Sequence, residues 1–375
     1  MSDPGTIVVP PRLLPSDGRF GSGPTRVRDA QVTALAAAGR TLLGTSHRQA
    51  PVRGLVRRVR EGVAELFRLP DDYLVVLGNG GTTAFWDVAA FGLISRRSQH
   101  LSFGEFSARF ATVTRSAPWL ADPSVRPAEP GTHPSPQAEA GIDAYALTHN
   151  ETSTGVAMPV CRVSGADEGA LVLVDATSAA GGLAVSPAEF DAYYFAPQKC
   201  FGSDGGMWIA LLSPAALERA ERIAASGRYI PEFLSLQGAI DNSRREQTYN
   251  TPAIATLLLL AEQVDWMLGN GGLSWASERS ATSSDILYSW AEKAPLASPF
   301  VADLLQRSPV VVTIDFAASV DAARLSAALR ANGILDTDSY RSLGRNQLRI
   351  GTFPAVDPAD VVALTACLDY LLERL

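Results

Sequence analysis

Apolar residues recur at helical spacing across residues 27–43 and again across 52–67, which predicts two amphipathic helices. The polar stretch Thr45-Ser46-His47-Arg48 separates them as a loop. The rhythm then changes. Short, continuous apolar runs at 73–77, 145–150, 171–175, 192–196 and 207–212 predict buried strands. The first of these leads into the turn Gly78-Asn79-Gly80-Gly81, and a helix is expected from Thr82 onward. The many prolines between 117 and 141 predict a loop. Strands alternating with helices predict an α/β fold with a mostly parallel central sheet.

Further along, Asn250-Thr251-Pro252 reads as the N-terminal signal of a helix over 253–268. Glycines at 269, 271 and 272 then break the chain. Beyond them the pattern predicts a helix at 275–293, a strand at 310–316, a helix at 320–332, a strand at 347–352 and a last helix at 358–372. These elements suit a smaller C-terminal α+β domain. The chain therefore divides into an extended, Pro- and Gly-rich N-terminal arm (1–24), a large domain (25–268) and a small domain (269–375).

Composition bears on function mainly by exclusion. Hydrophobic residues make up 46% of the chain and charged residues 19%, ample for a full core. A net charge of −7 opposes general nucleic-acid or polyanion binding, while leaving room for a local basic pocket. No apolar run is long enough for a membrane span, and residues 1–14 lack the layout of a secretory signal. Cys161, Cys200 and Cys367 form no CxxC pair, so neither a disulfide framework nor a metal site is expected. A reducing, cytoplasmic setting fits best.

Lys199 and Lys293 are the only lysines among 32 basic residues. Lys293 sits in a plain polar stretch. Lys199 follows the aromatic run Tyr193-Tyr194-Phe195-Ala196-Pro197-Gln198 and precedes a Gly-rich loop at 202–206. A desolvated lysine can lose its proton and attack a carbonyl, which arginine cannot do. Lys199 is therefore the candidate for covalent chemistry, and pyridoxal phosphate (PLP) is the cofactor to test.

Such a site also needs an acid for the ring nitrogen, a phosphate cradle and an aromatic face. Asp175 ends a predicted buried strand, where α/β sheets line their ligand crevices. The same residue would also serve as a turn cap before Ala176-Thr177-Ser178. Gly80-Gly81-Thr82-Thr83 opens a helix, whose first N–H groups attract anions. Ser178 and Gln198 are further polar candidates. Phe106 is a candidate to stack on the ring, or else a core side chain. Thr152 is a candidate contact for the phenolic oxygen, or else a loop hydroxyl. For anionic substrates, His47-Arg48 and the cluster Arg341, Arg345 and Arg349 supply cations. Arg349 lies in the strand-like Gln347-Leu348-Arg349-Ile350-Gly351, where an unpaired charge is costly.

Together, Ser46-His47-Arg48, Asn150-Glu151-Thr152, Asp175, Ala196-Pro197-Gln198-Lys199 and Tyr249-Asn250-Thr251-Pro252 resemble the motifs of the phosphoserine aminotransferases, in class V of the fold-type I PLP enzymes. The resemblance runs from Phe20-Gly21-Ser22-Gly23-Pro24-Thr25 to the last helix. It implies a PLP fold-type I large domain plus the smaller α+β domain. It implies that Lys199 forms the Schiff base with the cofactor and Asp175 meets the pyridine nitrogen. Thr152 would contact the ring oxygen, while the backbone around Thr82 and Thr83, with Gln198, would hold the phosphate. In the family the Asn-Thr pair reaches the neighbouring subunit's cofactor phosphate, so Asn250 and Thr251 imply a homodimer with shared active sites.

The implied reaction moves an amino group between L-glutamate and 3-phosphohydroxypyruvate, giving O-phospho-L-serine and 2-oxoglutarate in serine biosynthesis. Arg349 is the candidate for the α-carboxylate. His47, Arg48 and Arg341 are candidates for the distal phosphate or side-chain carboxylate. The chain departs from many family members at three places. It has Gly80-Gly81-Thr82-Thr83 for Gly-Gly-Gly-Arg, Phe106 for a stacking Trp, and Tyr340-Arg341 for a His-Arg pair. The run 340–349 resembles an actinobacterial subgroup. Two other readings are weighed. One is another class V enzyme, such as an alanine–glyoxylate or serine–pyruvate aminotransferase, whose small neutral substrates would not need both cationic groups. The other is a non-catalytic PLP-binding regulator, which the acidic charge opposes.

Overall fold

The computed structural model describes residues 6–375. The first five residues of the expected arm lie outside the described residues. The rest of the arm is extended apart from a short 3-10 turn at Pro11–Leu13, and it buries Phe20 completely. Helices α1 (Asp29–Leu42) and α2 (Ala50–Leu66) follow, then strand β1 (Leu74–Asn79), α3 (Thr82–Gly92), β2 (Ser98–Ser102), α4 (Glu105–Ser116) and β3 (Ser124–Pro127). Next come β4 (Ala144–Thr148), the short pair β5 (Asn150–Glu151) and β6 (Val156–Ala157), and then β7 (Leu171–Asp175), β8 (Ala192–Phe195) and β9 (Met207–Leu212). Helices α5 (Pro214–Ala224), α6 (Leu236–Arg244), α7 (Ile254–Gly269) and α8 (Gly272–Lys293) complete this part. The chain closes with β10 (Ala297–Pro299), β11 (Val311–Phe316), α9 (Ala322–Ala331), β12 (Gln347–Gly351) and α10 (Pro358–Leu372).

Seven strands form one sheet in the order β1-β9-β8-β7-β4-β2-β3. Only β9 runs against its neighbours, β1 and β8, so the other six share one direction. The apolar runs read as strands because both faces are buried. On β8, Tyr193 and Phe195 face a core shared with α2 and α7, while Ala192 and Tyr194 face the opposite core against α3 and α5. Gly78 is paired across from Trp208, and a Cβ there would overlap the indole. A second, antiparallel sheet, β10-β11-β12, packs with α8, α9 and α10 around its own core, which also takes in Val9 and Phe20 of the arm.

The predicted elements are present, with ends shifted by a few residues; α8, for example, starts at Gly272 rather than 275. Four strands, β2, β3, β6 and β10, and three helices, α4, α5 and α6, lie where no element was expected. β3 forms inside the proline-rich 117–141 stretch, at the edge of the sheet. β2 is polar in sequence but buried: His100 bonds Ser98 Oγ and Thr114 Oγ1, each at 2.9 Å, which supplies partners that an apolar pattern does not reveal. No helix among the described residues is long and apolar enough to cross a membrane.

Candidate active site

Because β1, β4, β7 and β8 run the same way, their C-terminal ends share one sheet edge. The segments leaving that edge bring Thr82 and Thr83, Asn150 and Thr152, Asp175, and Gln198 and Lys199 around one cavity. Phe106 and Trp86 complete its wall, and it encloses about 540 Å³ of atom-free space open to solvent. This is where an open α/β sheet places its ligand.

Lys199 is buried, and its Nζ donates to the Ser22 carbonyl at 2.8 Å. Burial lowers its pKa to about 8 and the nearby Arg349 charge adds to the effect, while Cys200 and Asp175 oppose it. The close approach depends on Gly23, whose φ is 119° and where a Cβ would overlap the lysine amine. Asp175 is also buried. Its Oδ2 accepts from Trp86 Nε1 at 2.8 Å, and its Oδ1 accepts from Thr177 N at 3.0 Å and Thr177 Oγ1 at 2.5 Å. Burial raises its carboxyl pKa, against the pull of these donors.

Thr82 and Thr83 open α3, whose first N–H groups have no partners within the helix. Asn150 Nδ2 and Thr152 Oγ1 both donate to Ser178 Oγ, at 2.8 and 2.7 Å. Two buried acceptors on the cavity lining, Asn150 Oδ1 and Gln198 Oε1, have no partner among the described residues. Phe106 sits in the first turn of α4. The buried Glu151 carboxylate caps that turn by accepting from Phe106 N at 3.1 Å and Ser107 N at 2.9 Å. Glu151 of the Asn150-Glu151-Thr152 motif thus fixes where Phe106 stands.

The cationic candidates divide. Arg349 lies on β12 beside the cavity, and its Nη1 donates to the Thr152 carbonyl at 3.2 Å. Arg345 turns away, with its Nε 3.1 Å from Asp315 and its guanidinium 4.4 Å from the Phe300 ring centre. Arg341 and Arg48 are exposed. His47 Nδ1 lies 3.1 Å from Thr251 Oγ1, and Asn250 bonds Asn79 at the end of β1. None of His47, Arg48, Asn250, Thr251, Arg341 and Arg349 lines the cavity, although Arg349 adjoins it through Thr152. Sequence reasoning missed Trp86. Its signal was its place one helical turn after Thr82, on the same face of α3. The roles of Ser22 and Gly23 had no comparable signal, because they rest on a backbone carbonyl and a missing Cβ.

A family model for class-V aminotransferases matches residues 137–337. A phosphoserine aminotransferase from a Nocardioides species is 64% identical over 370 residues, covering 98% of this chain and 99% of its own. In fold, the chain is similar to a phosphoserine aminotransferase from Cytophaga hutchinsonii, with a TM-score of 0.87 at 22% identity over 94% of this chain and 99% of that one. It is also similar to the one from Bacillus circulans subsp. alkalophilus, with a TM-score of 0.81 at 18% identity over 95% of this chain and 98% of that one. The chain belongs to the phosphoserine aminotransferases of the class-V aminotransferase family.

Proposed function

We propose that this chain transfers an amino group between L-glutamate and 3-phosphohydroxypyruvate with pyridoxal phosphate, giving O-phospho-L-serine and 2-oxoglutarate. The observation that carries the reading is the buried, easily deprotonated Lys199 amine in the same cavity as the Asp175 carboxylate and the start of α3. The residues present fit the cofactor. The unpaired acceptors Asn150 Oδ1 and Gln198 Oε1 call for hydrogen-bond donors on a ligand, the first N–H groups of α3 suit an anion, and Asp175 calls for a cationic or protonated partner.

When bound, pyridoxal phosphate supplies a carbonyl for an amine to attack and a ring that accepts the electron pair of a broken Cα–H bond. Lys199 would be its attachment point, and Asp175, steadied by Trp86 and Thr177, would keep the ring nitrogen protonated. The Thr82-Thr83 turn and Gln198 would hold the phosphate, and Thr152 the ring oxygen. Phe106 would present its face to the ring. With the cofactor bound, the Lys199 amine would serve as the general base that takes the proton from the substrate Cα and as the acid that gives it back. Arg349 is proposed to take the α-carboxylate in both half-reactions, with Arg341 at the distal anion.

His47, Arg48, Asn250 and Thr251 gather outside the cavity, which supports their reaching the site of a second copy in a homodimer. We place the protein in the cytoplasm, in line with its free Cys161, Cys200 and Cys367.

The test is the visible absorption of the PLP-loaded protein. O-phospho-L-serine and L-glutamate are expected to bleach the band, and L-alanine to leave it. Bleaching by alanine at equal concentration would point to small neutral substrates instead. A band that no amino acid alters would leave a binding protein only.

A further inference from the structure

Arg349 presents a puzzle of support. It carries a charge on a central residue of β12, and burial pulls its pKa below the usual arginine value. Its one hydrogen bond among the described residues is the 3.2 Å contact from Nη1 to the Thr152 carbonyl, and its Nε is buried without a partner. The other arginine singled out nearby, Arg345, is held by a carboxylate, Asp315. The group facing Arg349 is instead the ring of Tyr340, whose centre lies 5.0 Å from the guanidinium carbon.

Tyr340 is itself fixed. Its ring meets Phe106 edge-to-face at 5.8 Å. Two residues on, Ser342 Oγ donates to Glu105 Oε2 at 3.0 Å. Glu105 and Phe106 are the first residues of α4, so the 340–342 segment is fastened to the same turn that places Phe106 on the cavity. The chemistry of the contact is selective. A carboxylate beside Arg349 would occupy its donors and compete with an anionic substrate. An aromatic face attracts the cation through the ring's quadrupole and leaves the N–H edge of the guanidinium free.

We propose that Tyr340 is a positioning residue: its ring holds the Arg349 guanidinium beside the cavity with its donor edge open to the substrate α-carboxylate. This rests on the reading of Arg349 given above.

The test uses the PLP-loaded enzyme and its Y340A, Y340F, R349A and Y340A/R349A variants. Y340A is expected to raise KM for L-glutamate and for O-phospho-L-serine by a similar factor, about tenfold, with kcat within about twofold of native. Y340F keeps the ring and is expected to stay within about twofold on both constants. Calorimetric affinity for glutarate, which has no amine to react, is expected to fall by the same factor in Y340A. Because Tyr340 acts through Arg349, the double variant is expected to be no worse than R349A.

A Y340A protein with native KM and native glutarate affinity overturns the proposal. So does one that loses kcat at unchanged KM, the mark of a merely structural role, and so does a Y340F protein as impaired as Y340A. If R349A itself leaves KM unchanged, the assignment of Arg349 fails and the proposal falls with it. If R349A raises KM and Y340A does not, only the role of Tyr340 is lost.

Discussion

Trace acetylation of the cofactor-free protein, followed across a pH series by mass spectrometry, is expected to give Lys199 a midpoint near 8. The perturbation is burial first and the Arg349 charge second. A drop from 10.5 to about 8 is worth about 3 kcal/mol between the charged and neutral forms. At pH 7 this leaves roughly one lysine in ten neutral, against roughly one in three thousand for an ordinary lysine. The free amine is thus about 300-fold more abundant, which is what attack on a carbonyl requires. The chain suits the assay, since its other lysine, Lys293, is exposed at the end of α8 and serves as a reference in the same molecule. Slow access to a buried amine lowers the rate of labelling but does not move the midpoint. Arg349→Met removes the neighbouring like charge and is expected to move the midpoint upward.

The same shift acts on stability. The unfolded chain takes up the proton near 10.5, whereas the folded chain waits until about 8. Stability of the cofactor-free protein therefore falls as pH drops through that window, by up to about 3 kcal/mol, and the loss is complete below it. A Lys199→Met variant lacks this loss, so the difference between the two proteins in denaturant melts isolates it. A Lys199 midpoint at the ordinary lysine value, with no such difference, would refute the reasoning.

Gly23→Ala pushes a methyl group onto the Lys199 amine at a φ of 119° and is expected to slow capture of PLP by the cofactor-free protein about tenfold or more, while the fold persists; a native rate of band growth would count against it. Trp86→Phe removes the 2.8 Å donor to Asp175 and is expected to weaken PLP binding by about tenfold in an absorbance titration, and unchanged affinity would deny the indole that role. Gly78→Ala drives a Cβ into the Trp208 indole, which packs 5.0 Å from Phe85, and is expected to cost about 1–3 kcal/mol in a denaturant melt of the cofactor-free protein; an unmoved midpoint would contradict the packing. For the shared site, Lys199→Ala chains dissociated and reassociated with Asn250→Ala/Thr251→Ala chains are expected to regain up to about a quarter of native activity, since half the dimers are mixed and each has one intact site; no recovery would speak for self-contained subunits.

What could be read in the sequence was whatever a residue type announces by itself. Strands such as β7 and β8 are continuous apolar runs because both faces are buried, so their pattern survives without knowledge of the neighbours. Lys199 and Asp175 could be found because each carries chemistry that few residues share. β2 could not, since its buried polar side chains are satisfied by tertiary partners, His100 by Thr114 and Gln99 by Gln137. The strand-like setting already sets Arg349 apart from Arg345 in sequence, and the fold adds that Arg345 is paired with Asp315 while Arg349 is left open beside Thr152. The pairs Trp86–Asp175 and Tyr340–Arg349 are likewise products of tertiary contact, which spacing along the chain cannot supply.

The N-terminal arm carries this argument furthest. Its composition marks it as a plain extended segment, yet its backbone touches both halves of the site. The Phe20 carbonyl accepts from Gly351 N at 2.7 Å, at the end of the strand that bears Arg349. The Ser22 carbonyl accepts from the Lys199 amine at 2.8 Å, and Thr25 N donates to the Gln198 carbonyl at 3.1 Å. Upstream, Ser16 is tied to the buried carboxylate of Asp360 by bonds of 2.7 Å from both its N and its Oγ. Most of these links go through main-chain atoms, which every residue possesses, so the side-chain pattern is silent about them. The glycines mark the spot instead, because a Cβ at position 23 would overlap the amine and a Cβ at 351 would meet the Gly21 carbonyl. The arm thus bonds both β12 and the Lys199 amine within three residues, and it belongs to the candidate site as much as the strands that frame it.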